Sequence, residues 1–236
     1  MAARNAKKTD VGPAMDFSSV IASSVHDMKN SLSMLLCSLD EVGVSCAANG
    51  CDREKFAHLQ YEGQRLNNHL MQLLTIYRLD QSEWSVNIQE NDIAEFLEES
   101  ILQYENLLSP KGIRVTATCD DGLTGYFDRD LVAGVVNNVV NNAYRYSKDK
   151  ILLSGAREGN YLVISIEDNG NGYPASMLFD EKKGLGNIDF NAGNTGLGLY
   201  FSERVAQSHE ARGNRGYIRC SNDGIDGGGK FSIYLP

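Results

Sequence analysis

Asp168-Asn169-Gly170-Asn171-Gly172 stands at the end of the run Tyr161 to Glu167, in which Leu162, Val163, Ile164 and Ile166 crowd together. The run reads as a buried strand, and the pentapeptide as a tight turn in which glycine lets the backbone approach a neighbouring group closely. Working upstream, Asn138-Val139-Val140-Asn141-Asn142-Ala143-Tyr144-Arg145-Tyr146-Ser147 closes a segment from Asp128 that reads as a helix, opened by an Asp able to cap its first turn. Asn138, Asn142, Arg145 and Tyr146 fall at helical steps of four and three and one adjacent place, so much of this polar set shares a face. Working downstream, Asn194-Thr195-Gly196-Leu197-Gly198-Leu199 marks the start of a helix running to about His209. Free N–H groups and the positive end of the helix dipole favour an anion there.

The rest of this half alternates short β-rich and helical segments. Ile113 to Cys119 and Ile151 to Ala156 read as strands, and Asn91 to Leu108 as a helix. Gly229-Lys230-Phe231-Ser232-Ile233-Tyr234-Leu235 alternates as a final strand does. The composition is α/β or α+β, and the class expected is α+β, a mixed sheet packed on helices.

Before Asp80 the pattern is purely helical. Ile21, Val25, Met28, Leu32, Leu35, Leu39 and Val42 recur at alternating four- and three-residue steps, and Phe56, Leu59, Leu66, Leu70, Leu73 and Tyr77 repeat the pattern with one gap at Gly63. Gly43 to Asp52 reads as the loop joining the two into an antiparallel hairpin. A lone hairpin cannot enclose its own seam, so two copies are expected to form a dimeric four-helix bundle. His26 falls one position after the seam residue Val25, on the solvent flank, with Asp27 beside it and Asn30 one turn further along. Alone, such a histidine reads as solvated surface. The expected organisation is a tail over 1–15, a helical hairpin over 16–82 and a second domain over 83–236.

Composition excludes several function classes. With 22 Lys+Arg against 31 Asp+Glu the formal net charge is -9, and no basic run offsets it, so nucleic acid is not an expected partner. The cysteines at 37, 46, 51, 119 and 220 have no metal or redox spacing and read as free thiols of a reducing compartment. No apolar run approaches the roughly 20 residues that span a bilayer, and the basic start MAARNAKK leads into no apolar stretch. A cytoplasmic protein without membrane association is expected.

Taken together and in this order, the three clusters and the terminal GGGKFSIYLP resemble the nucleotide-binding boxes of sensor histidine kinases and their relatives among gyrase, mismatch-repair and chaperone ATPases. His26-Asp27-Met28-Lys29-Asn30 likewise resembles the phosphoacceptor segment of the kinases' helical hairpin. The resemblance implies an ATP-binding domain of α/β-sandwich type that uses Mg²⁺. In it Asn138, Asn142, Arg145, Tyr146, Asp168, Gly170, Gly172, Thr195, Gly196, Leu197 and Gly198 contact nucleotide. Asp168 would accept from the adenine amino group, and Asn142 would give an oxygen to Mg²⁺. Tyr173 to Gly193, with Gly184, Gly186 and Gly193, would form a lid over the triphosphate, with Lys182 and Lys183 as candidate phosphate contacts.

The resemblance also implies that His26 accepts the γ-phosphoryl group, that Asp27 orients its ring or takes its proton, and that the group passes to an aspartate of a response-regulator receiver domain. Asn30 would position water in the reverse dephosphorylation. Ser31 stands where many members have a helix-bending Pro, and Met177-Leu178-Phe179-Asp180 matches the usual lid box only loosely. With no sensor in the chain, the signal is expected from a separate sensory or regulatory protein. A histidine phosphotransferase that has lost ATP use and a non-catalytic dimeric scaffold are the alternatives. A serine kinase of anti-sigma type would share the pocket without needing the hairpin.

Overall fold

The computed structural model describes residues 28, 30, 32–39, 42, 53–80, 85–108, 111–178 and 197–236. His26, Asp27, Ser31, the expected loop at 43–52, Lys182, Lys183, Thr195 and Gly196 lie outside them. The chain divides into two compact units between Leu74 and Thr75. Among the described residues no helix is long and apolar enough to cross a membrane.

In the first unit, residues 32–39 are helical (α1), and α2 runs Arg53–Asp80. The gap in the α2 seam at Gly63 has a packing cause. A Cβ there would meet Leu36 Cδ2 at 2.8 Å and Leu39 Cδ1 at 3.9 Å, so the leucines of α1 occupy the place of the missing side chain. Among the described seam residues four leucines stay half-exposed: Leu35 is 53% exposed, Leu59 56%, Leu66 55% and Leu73 51%.

The second unit is a layered α+β domain. Its five-stranded mixed sheet has the order β2-β4-β5-β9-β8, with β2 (Arg114–Cys119), β4 (Lys150–Glu158), β5 (Tyr161–Asp168), β8 (Tyr217–Ser221) and β9 (Lys230–Leu235). β2 and β4 run parallel, and every other neighbouring pair is antiparallel. α3 (Ile93–Leu108) packs on β2 and β4, α4 (Arg129–Tyr146) on β5, and α5 (Leu197–Ser208) on β8 and β9. Between helices and sheet lies one core containing Ile93, Leu97, Phe127, Val132, Val140, Leu153, Ile164, Val205, Phe231 and Ile233, each under 1% exposed. Toward the other face β5 and β9 are also closed, by a buried Ser165–Ser232 hydroxyl bond of 2.8 Å and by Tyr217 stacked on Tyr234 at 4.3 Å. For that reason both strands read as continuous burial instead of alternation.

α4 is built from a repeat of apolar pairs and asparagine pairs. Leu131-Val132, Val135-Val136 and Val139-Val140 are buried, and Asn137-Asn138 and Asn141-Asn142 lie between and after them. Four residues fall close to one helical turn, so the apolar pairs stack on the core side. Asn disfavours helix interiors by a few tenths of a kcal/mol per residue, a cost exceeded many-fold by burial of the valines. Asp128 caps the helix, its Oδ1 accepting from Leu131 N–H at 3.1 Å and its Oδ2 from Asn87 N–H at 2.9 Å. Just before it, Phe127 is fully buried and meets Phe96 edge to face at 5.3 Å. That burial outweighs the neighbouring Arg129–Glu99 ion pair, since losing a buried Phe costs about 3–5 kcal/mol and a half-exposed pair contributes up to about 1.

The helix expected from Asn91 begins two residues later. Asn91 and Asp92 belong to β1 (Gln89–Asp92), paired antiparallel with β3 (Thr124–Phe127), and Asp92 Oδ1 accepts from Glu95 N–H at 2.9 Å in capping the helix. β1, β3, β8 and the two-residue strands β6 (Glu210–Ala211) and β7 (Asn214–Arg215) had no sequence expectation. They are short: β1 pairs with the distant β3 and β8 with β9, whereas β6 and β7 pair with each other as a tight hairpin.

His209, which follows α5, is 2% exposed. Its Nδ1 lies 2.8 Å from the Val205 carbonyl and its Nε2 accepts from Asp128 N–H at 3.0 Å. One nitrogen therefore donates and the other accepts, which requires the neutral ring. Burial lowers its pKa below the usual histidine value, against the raising influence of the Val205 carbonyl and Asp128. Below about pH 6.5 the unfolded chain takes up a proton that the folded chain refuses, so stability present above that pH is lost as pH falls, by up to ~1.4 kcal/mol per unit. Thermal melts from pH 7.5 to 5.5 should show a steeper loss for the wild type than for His209→Gln, and equal slopes would remove His209 from the balance.

Candidate nucleotide-binding site

The C-terminal ends of α4 and β5 meet at the turn after Asp168. Asn169, 4% exposed, accepts at Oδ1 from the backbone N–H groups of Lys148, Asp149 and Lys150 at 3.2, 3.1 and 3.1 Å, and its Nδ2 donates to Asp149 Oδ1 at 2.7 Å. One amide thus ties the α4–β4 connection to the turn. Gly170 can hold no side chain, because a Cβ would run into the carbonyl oxygen of Tyr146, the last residue of α4.

Asp168 is half-buried and oriented by the backbone. Its Oδ1 accepts from Gly170 N–H at 2.7 Å and lies 3.4 Å from Gly229 N, and its own N–H donates to Gly229 O at 2.9 Å. Oδ2 faces the place where a Gly229 Cβ would stand, 2.9 Å away. One carboxylate oxygen is thus held by main-chain donors, and the other is positioned as an acceptor for a further group.

The second junction joins α4 to α5. Asn138 Nδ2 donates to Ser202 Oγ at 3.3 Å, and Ser202 Oγ donates to the Gly198 carbonyl at 2.8 Å. A Cβ on Gly198 would collide with the Asn138 amide, so the first turn of α5 lies directly against the asparagine face of α4. One turn beyond Asn138, Asn142 is exposed, and Arg145 and Tyr146 are also exposed, the guanidinium 5.5 Å from the ring centroid. Asn138, Leu197 and Gly198 are thus brought together, Gly170 and Asp168 adjoin the end of α4, and Gly172 continues the turn at φ +74°. Asn30 is exposed and belongs to the first unit.

Sequence reasoning overlooked Asn169, Ser202, Asn222 and Gly229 as builders of this site. Asn169 had a signal, since an amide inside a glycine turn is a natural bracket for neighbouring N–H groups. The other three act across distances of 61 to 64 or 49 residues in the chain, which no local pattern reports.

This arrangement has known counterparts. Residues 127–236 match the family described as histidine kinase-, DNA gyrase B-, and HSP90-like ATPase. That stretch, somewhat under half of the chain, is similar to the ATPase domains this family unites. Over 196 residues, 80% of its length, it is 24% identical to the sensor protein SrrB of Staphylococcus aureus, and it spans 34% of that relative. In fold it is similar to the Acinetobacter baumannii histidine kinase AdeS, with TM-score 0.57 and 20% identity over 89% of this chain and 96% of that one. It is also similar to full-length ShkA in complex with AMPPNP, with TM-score 0.63 and 18% identity over 93% of this chain and 46% of that one. The catalytic domain of histidine kinase ThkA gives TM-score 0.53 and 21% identity over 64% of this chain and 97% of that one. The family match begins at Phe127, where β3 ends and α4 is capped.

The Asn138–Gly198 contact generates a test. Gly198→Ala should push α5 off α4 and destabilise the ATPase domain by about 1–3 kcal/mol, and Asn138→Ala in the same chain should return much of it by making room. Strictly additive losses in denaturant melts would show that the two residues do not press on each other.

Proposed function

We propose that this chain is a protein-histidine kinase, which binds ATP in the ATPase domain, phosphorylates His26 and passes the group to an aspartate of a response-regulator receiver domain. The observation that carries this reading is Asp168, held through one oxygen by backbone N–H groups and presenting the other beside Gly229, where no side chain covers it. An ionised acceptor aimed this way suits an exocyclic amine such as adenine's. Family membership of residues 127–236 supports ATP as the ligand.

On this reading Asn138, Asn142, Arg145 and Tyr146 line the site from α4, Gly170 and Gly172 from the turn, and Leu197 and Gly198 from the start of α5, with Thr195 and Gly196, the two preceding residues in the sequence, also contacting nucleotide. As the family resemblance implies, Mg²⁺ would be held by the Asn142 amide oxygen, with phosphate and water completing its shell. When bound it neutralises phosphate charge. The γ-phosphoryl group moves to an imidazole nitrogen of His26, ADP leaves, and Asp27 orients the ring or receives its proton. Asn30 positions water when the phosphorylated regulator is hydrolysed. A separate sensory or regulatory protein supplies the signal.

The exposed leucines of α1 and α2 support a homodimer with a four-helix bundle at its centre. Full burial of a leucine contributes roughly 1.5–3 kcal/mol, so four left half-exposed on one hairpin favour a second copy strongly. Sedimentation of the full chain should give a dimer, and the double variant Leu59→Asp, Leu66→Asp a monomer. A monomeric wild type would end this part of the proposal.

Incubation with γ-labelled ATP should put an acid-labile, base-stable label on the wild-type protein. His26→Ala should remove it, and Asp168→Asn should lower both label and ATP affinity about tenfold or more. Asn30→Ala should keep the label yet slow decay of a labelled regulator. Labelling that survives His26→Ala, or ATP affinity unchanged by Asp168→Asn, would overturn the reading.

A further inference from the structure

The residue leaving the Asp168 turn is Tyr173, and its position is fixed more firmly than a loop entry requires. Gly172 stands at φ +74°, a conformation side chains disfavour, and a Cβ there would come within 2.6 Å of Asn222 Oδ1. Asn222 then brackets the next peptide. Its Oδ1 accepts from Tyr173 N–H at 2.6 Å and its Nδ2 donates to the Tyr173 carbonyl at 3.0 Å. A side-chain amide here replaces a strand partner, and both main-chain groups of Tyr173 are held at once.

The bracket sets the ring against Gly229. A Cβ on that glycine would lie 3.0 Å from Tyr173 Cε2 and 2.9 Å from Asp168 Oδ2, so the ring edge and the open carboxylate oxygen border the same small space. The Tyr173 side chain is also packed against the domain core, and its phenol is pushed well above the ordinary tyrosine value by burial, then by Cys220 and Asp168. It stays neutral at any physiological pH, so it acts by shape and not by charge.

We propose that Tyr173, bracketed by Asn222 and admitted by Gly229, is a specificity-determining wall of the base pocket that excludes bulky substituents on the amine read by Asp168. The proposal rests on the reading of Asp168 as the acceptor for adenine. The amine must reach Oδ2, and the ring stands beside that oxygen, so a group added to the amine meets the ring. Asn222 is a positioning residue in this scheme, since it acts only through the Tyr173 backbone. Gly229 has no side chain because the ring and the carboxylate leave no volume for one.

The experiment is calorimetric titration of the full chain with ATP and with N6-benzyl-ATP, with a thermal melt of each variant. Wild type should bind the benzyl analogue about tenfold or more weakly than ATP, the scale on which a pocket wall discriminates. Tyr173→Ala should bring the two affinities together, and Tyr173→Leu, which keeps apolar volume for the core, should do so in part. Tyr173→Phe should keep the wild-type ratio. Asn222→Ala should relax the ratio in the direction of Tyr173→Ala, with Asn222→Asp intermediate because it retains only the acceptor. Gly229→Ala should weaken ATP about tenfold, and Gly229→Ala with Tyr173→Leu should recover part of that loss.

A ratio unchanged in both folded Tyr173→Ala and folded Tyr173→Leu would overturn the proposal. So would a Gly229→Ala loss that Tyr173→Leu does not relieve. If either happens while Asp168→Asn lowers ATP affinity about tenfold or more, the nucleotide reading stands and only the wall falls. ATP affinity unchanged in Asp168→Asn would overturn the nucleotide reading itself.

Discussion

Everything in the candidate site depends on how closely the end of α4 approaches the turn that ends β5. Gly170 faces the Tyr146 carbonyl at a distance that admits no Cβ, and Asn169 holds the intervening connection through three backbone N–H groups. A buried amide left without those partners would cost a few kcal/mol, so the bracket and the close approach are maintained together. From this junction the polar face of α4 and the carboxylate of Asp168 acquire a fixed separation. Neither element could supply it alone.

The same economy recurs around the site. Asn138 lies against Gly198 on one side, and Asn222 brackets Tyr173 beside Gly172 on the other. In each case an asparagine amide packs where a glycine has removed the obstacle, and Asn222 also takes the place of a strand partner by bonding both main-chain groups of Tyr173. Glycine in these places loses more conformational freedom on folding than any other residue, and asparagine is a poor helix former. Their concentration in α4 and the adjoining turns gives up local stability for backbone proximity. The valine pairs of α4, Phe127 and the paired serines of β5 and β9 supply the compensating rigidity.

The two units meet this problem differently. The second closes its core within one chain. Among its described residues the first buries Leu74 and fills the Gly63 notch with Leu36 and Leu39, but leaves Leu35, Leu59, Leu66 and Leu73 half-exposed. A hairpin of two helices has too little interior to bury a full seam, so its stability depends on what covers it.

Much of this was legible in the sequence because it is local. Apolar spacing marked α2, α4 and α5 and the strands β4, β5 and β9, and Asp128 announced its helix as a cap. The glycine turn marked Asp168 as a candidate site residue, and residues 127–236 match the family that the three boxes resembled. Tertiary structure decided what local pattern cannot carry. The seam gap at Gly63 became a packing notch, and Asn91 and Asp92 passed from helix to strand because Gly125 and Thr124 were there to pair with them. His209 received its neutral tautomer from Val205 and Asp128, and Tyr173 its place from Asn222 and Gly229. Periodicity records which face of an element is apolar, whereas a hydrogen bond between residues 49 or 81 positions apart exists only once the chain has folded.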